Sequence, residues 1–178
     1  MKSIFTGLLF VVLNFNLNLG NSTIELLPDF IGYIILAGGL LELAGESLLF
    51  IKVRPYSIGM AVYTGITFVL NLLGMKGSLG YLDYILGILS LIALFYITYN
   101  IVQGIKETER SHGAFLNGER LDSIWRWWAA ITAFTYLIFL LPGAAIISII
   151  ISAVMAICFL VSINTSKNLY YDMMNGRS

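Results

Sequence analysis

Residues 79–105 read LGYLDYILGILSLIALFYITYNIVQGI, and Asp83 is the only charged side chain among them. The run is long and does not alternate, which selects a helix over a strand. A bilayer core about 30 Å thick takes roughly 20 apolar residues in a helix, so this stretch is long enough to cross one. Working outward from it, five further apolar runs meet the same description: 4–19, 28–50, 56–73, 124–141 and 142–164. The three prolines sit at span starts. Pro28, Pro55 and Pro142 each fall where a first-turn N–H has no intrahelical partner to lose. Asp29 lies in a first turn, where the helix dipole favours negative charge, and Asp122 and Ser123 precede the fifth span as N-caps.

Composition points the same way. Of 178 residues, 58% are hydrophobic and 11% charged, against roughly 25% charged in a soluble domain. Mean hydropathy is +0.87. Ten basic and ten acidic residues cannot cover the surface of a soluble globule. The same numbers exclude a disordered chain and a disulfide scaffold. Cys158 has no intramolecular partner, and His112 is the single histidine, which excludes a multi-histidine metal site within one chain. The expected fold is all-α: a polytopic bundle of six transmembrane helices arranged as three outward-turning hairpins. The domain covers 1–166, with a hydrophilic loop at 106–123 read as a solvated connector, or alternatively as a docking loop for a partner, and a short tail at 167–178. Met1-Lys2 ahead of an apolar stretch resembles a signal peptide. However, Asn14, Asn16 and Asn18 interrupt it and no Ala-x-Ala-like site follows, so the first span is expected to be retained.

Charge sets the orientation. Six spans place Lys2, Lys52, Arg54, Lys106, Arg110, Arg120, Arg126, Lys167 and Arg177 on one side and Lys76 on the other. By the positive-inside rule the rich side is cytoplasmic, so both termini are expected inside the cytoplasmic membrane. Trp125, Trp127 and Trp128 then form an inner interfacial belt. The triplets at 21–23 and 164–166 match a glycosylation pattern and are read as chance.

Polar residues in apolar surroundings are the candidate sites. Asn14, Asn18 and Asn21 share one helical face at i, i+4 and i+7. Asn16 points the other way unless the chain unwinds before Gly20. With Glu25, Asp29 and Asp83 they make a candidate polar-solute or cation site at the outer side, set against a plainer reading as a capped rim. Glu42 and Glu46, one turn apart, are candidate intramembrane carboxylates. Their alternative is an interfacial turn from Ala44 to Lys52. Ala144, Ser148, Ser152 and Ala156 form an i, i+4 ridge of small residues suited to close helix packing.

Leu13-Asn14-Phe15-Asn16, with Ile24-Glu25-Leu26-Leu27-Pro28-Asp29-Phe30-Ile31-Gly32-Tyr33-Ile34, resembles a group of uncharacterised small multipass membrane proteins of Gram-positive bacteria. Arg54-Pro55 fits the same pattern. The resemblance covers about the first 75 residues. It implies a membrane location and no chemistry, and it draws attention to Asn16, Pro28, Asp29 and Gly32.

No P-loop, dinucleotide fingerprint, His-Glu-x-x-His or cysteine pair is present, so neither an enzyme nor a cofactor is expected. The scattered basic residues do not support nucleic-acid binding. The expected function is a non-enzymatic accessory or assembly component of a membrane complex. Its partners would be the lipid bilayer and either a membrane protein or copies of itself. The alternative is a small permease or channel built on the outer acidic and asparagine cluster.

Overall fold

The computed structural model describes residues 1–13, 16–19, 22–25, 28–73, 81–138 and 142–176, with side chains over 1–13, 28–73, 85–135 and 148–176. The described residues are helical apart from one antiparallel strand pair and short turns. The helices are α1 (Lys2–Val12), α2 (Asp29–Glu42), α3 (Leu48–Leu72), α4 (Tyr81–His112), α5 (Gly118–Ile138) and α6 (Pro142–Asn175), with strands β1 (Asn16–Leu19) and β2 (Ser22–Glu25) after α1. Two compact units divide the chain, 1–101 and 102–178.

In the first unit α2 packs on both α1 and α3. These three helices form one antiparallel set, with α2 packed on both of its neighbours. Glycines bring α1 and α2 together. A Cβ on Gly7 would lie 2.7 Å from the Gly32 carbonyl oxygen, and one on Gly39 would lie 2.6 Å from the Ile4 nitrogen. Neither gap admits a side chain, so the backbones approach as small residues allow. Ile4, Leu8, Leu36 and Leu40 fill the seam and are fully buried. Between α2 and α3 the Ser57 hydroxyl donates to the Tyr33 carbonyl at 3.0 Å, and Phe30 meets Phe68 with ring centroids 5.5 Å apart. The Tyr56 and Tyr96 rings, 4.8 Å apart, join α3 to α4.

In the second unit α5 packs on α6. Trp128 stacks on Phe159 at 5.0 Å, and the Thr132 and Ser152 hydroxyls share a hydrogen bond of 2.7 Å. Trp128 is therefore buried while Trp127 is exposed.

Several boundaries differ from the expected ones. The first span does not run to Leu19, because α1 ends at Val12 and β1 begins at Asn16. The second stops at Glu42, and a turn at 43–46 separates it from α3. Pro55 does not start the third helix. Ser47 caps α3, its Oγ accepting from the Leu49 N–H at 3.1 Å, and Pro55 lies inside the helix. The region 106–123 is mostly helix, since α4 continues to His112 and α5 begins at Gly118. Asp122 and Ser123 are therefore inside α5 and are not its caps. The tail beyond 166 continues α6.

Among the described residues, two helical segments are long and apolar enough to cross a membrane. They are Ile85–His112 and Ser148–Asn175, with mean hydropathy 2.1 and 2.2 over their most apolar windows. Only 28% and 33% of those windows is buried, whereas the core helix of a soluble protein is mostly covered. Ile149, Ile150 and Ile151 are all exposed in succession.

Candidate functional site

Three residues of the expected outer cluster lie on the two strands. Asn16 and Asn18 are on β1 and Glu25 is on β2, with Asn16 opposite Glu25 and Asn18 opposite Thr23 in the antiparallel register. The shared helical face expected for Asn14, Asn18 and Asn21 is thereby removed, because Asn18 is in a strand. Asn14, Asn21 and the side chain of Asp83 lie outside the described residues. Asp29 is the first residue of α2, after Pro28 at its N-cap. Among the described residues of this set, the structure brings together the Asn16 and Glu25 backbones.

Glu42 ends α2 and is exposed, and its carboxylate accepts from the Ser3 hydroxyl at 2.8 Å. That bond ties the start of α1 to the end of α2. Glu46 sits in the following turn. On α6, Ser148 and Ala156 are buried and Ser152 bonds α5, so this face packs within the second unit. The side chain of Ala144 lies outside the described residues.

The most elaborate polar arrangement joins the end of α4 to the start of α5. Gly113, with φ of +60°, ends α4 in the left-handed conformation that glycine adopts without penalty. The Ala114 N–H then bonds the Glu109 carbonyl at 3.2 Å and the Gly113 N–H bonds the Arg110 carbonyl at 3.4 Å, the paired closure of a Schellman motif. The Glu109 carboxylate reaches across the connector. Its Oε2 accepts from the Leu116 N–H at 3.1 Å and the Gly118 N–H at 2.8 Å. A carboxylate there satisfies two otherwise orphaned donors and complements the helix dipole. Asn117, at φ 66°, donates from Nδ2 to the Ser162 hydroxyl of α6 at 3.1 Å. Leu116 and Leu121 are fully buried beneath.

Asp122 is the centre of this arrangement. Its carboxylate accepts from Gln103 at 3.2 Å, Lys106 at 3.2 Å and Arg126 at 2.7 Å. Lys106 also pairs with Glu119 at 3.0 Å. Burial pushes the Asp122 carboxyl up, but the hydrogen bonds from Arg126 and Lys106 and their charges outweigh it and hold the group below its ordinary value. Sequence reading missed this site because the residues were counted as loop. The signal was there in the spacing, since Lys106, Glu109, Asp122 and Arg126 each fall at i, i+3 or i, i+4 within their helices.

The outcome is a stiff polar platform. From it Phe115 projects with 72% of its surface exposed. Among the described residues no group of three or more His, Cys, Asp or Glu converges as metal ligands would. The geometry presents a surface. No protein-family model, curated protein or solved structure matches the chain.

Proposed function

We propose that this chain is a multipass membrane protein and a non-enzymatic accessory or assembly component of a membrane complex. Six passes with both ends cytoplasmic account for the division of basic residues, nine against Lys76. The exposed apolar faces of α4 and α6 support lipid contact. At about 1.5 Å per residue α1 and α2 are short for a bilayer core of about 30 Å. The hairpin continues them outward, with β2 against α3, where non-helical backbone at membrane depth is sheltered by protein.

The observation that carries the accessory reading is the pinned connector. An aromatic side chain held out from a rigid support is what an interface anchor requires, and Phe115 is 72% exposed. Arg110, Glu119 and Arg120, all exposed and within five residues of it in the chain, supply the mixed charge of an interface rim. A tagged full chain extracted in mild detergent from native membranes at native expression should bring down one stoichiometric partner. Phe115→Ala should lose that partner while leaving the thermal midpoint of the purified chain unchanged. Recovery of the chain alone, or only with copies of itself, would count against the accessory role and favour a self-contained permease.

A further inference from the structure

The seam between α2 and α3 leaves an open groove of about 390 Å³, apolar along its length, with Arg54 its only charged lining residue. Ile34 and Gly38 of α2 face Ile58 and Val62 of α3 across it. Gly38 has nothing within 4 Å of where a Cβ would sit, so the floor of the groove is vacant where the α1–α2 glycines are closed. Arg54 is half-buried, and its Nε is shielded from solvent with no hydrogen-bond partner. The guanidinium as a whole lines the groove, and its planar fork of donors is the group that pairs with an anionic oxygen.

Dimensions match a lipid. Arg54 to Val62 spans eight residues, about 12 Å of helix, against about 15 Å for half of a 30 Å hydrocarbon core. Past Val62 the apolar track continues along α3 through Gly65, Ile66 and Val69. A cation at one end and an apolar channel one leaflet long complement an anionic head joined to an acyl chain. A second copy's apolar helix would fill the channel and leave Arg54 unneutralised.

We propose that this groove binds an anionic phospholipid of the cytoplasmic leaflet, with one acyl chain along α2 and α3 and the phosphate on Arg54. The assignment rests on the membrane reading above. The full chain, reconstituted in nanodiscs of phosphatidylcholine with or without phosphatidylglycerol of the same acyl chains, would be followed by thermal unfolding. Phosphatidylglycerol should raise the midpoint, and Arg54→Gln should abolish that increment. Gly38→Leu should abolish it too, by occupying the groove, with its midpoint in phosphatidylcholine at or above that of the parent. An equal midpoint in both lipids would overturn the site and leave the membrane reading standing. So would an increment that survives both substitutions, one reproduced by inorganic phosphate in detergent, or a Gly38→Leu effect confined to oligomeric state. A chain that purifies folded without detergent or lipid would overturn both readings.

Discussion

Asp122 accepts hydrogen bonds from Gln103, Lys106 and Arg126, and it is almost wholly buried. Hydrogen bonds to a buried charge contribute more than neutral ones. Asp122→Asn is expected to cost about 2 kcal/mol, read as a lower thermal midpoint of the detergent-solubilised chain. The sign of the pH dependence follows from the lowered carboxyl pKa. A group whose folded pKa is depressed contributes its stability above its unfolded value, about 4 for aspartate. It loses that contribution as pH falls through the lower folded value. The gap between parent and Asp122→Asn should therefore be constant near neutral pH and narrow below about pH 4. A gap independent of pH would remove the charge from the explanation. Lys106 and Asp122 were visible in the sequence as charges but not as partners. They are on different helices, and their pairing depends on the short connector that begins at Gly113.

At the scale of elements, the α1–α2 crossing makes the sharpest contrast. Gly7→Ala places a methyl 2.7 Å from both the Gly32 oxygen and the Leu36 nitrogen, and Gly38→Ala places one in open space. The first should cost about 1–3 kcal/mol by forcing the helices apart. The second should be neutral or stabilising by about 0.5–1 kcal/mol, because alanine suits a helix interior better than glycine. Equal effects on the thermal midpoint would contradict the crossing. On α6, Ser152→Leu removes the 2.7 Å bond to Thr132 and crowds the seam with α5. Expression and midpoint should both fall, and an unchanged protein would remove that seam from the account. Hydropathy located the helices because long apolar runs are unambiguous, but it overran α1. The segment Asn16-Leu17-Asn18-Leu19 alternates polar and apolar residues with the period of a strand. It is separated from Ser22–Glu25 by Gly20-Asn21, a pair typical of hairpin turns. That period-two signal lay inside a window averaged for helix. Pro55 misled because proline favours a first helical turn, whereas here it lies on an exposed face inside α3.

At the scale of the whole molecule, two segments carry long apolar surfaces that their own fold leaves open, at Ile85–His112 and Ser148–Asn175. Composition alone anticipated this, because 11% charged residues cannot screen a surface from water. The candidate site was far less legible. Asparagines and carboxylates near the outer end drew attention as rare polar groups in an apolar stretch, and the platform at Glu109, Asn117 and Asp122 was passed over as ordinary loop polarity. A polar residue in a hydrophilic stretch gives no sign of burial until the helices around it are placed. The proposed topology has six membrane passes with the basic ends and the α4–α5 connector in the cytoplasm. It is tested most directly by labelling single cysteines in intact cells with a membrane-impermeant maleimide, after Cys158→Ala. Lys76→Cys should react in intact cells, while Arg120→Cys and Gly176→Cys should react only after permeabilisation. Labelling of Arg120→Cys or Gly176→Cys in intact cells, or of all three positions from the same side, would contradict it.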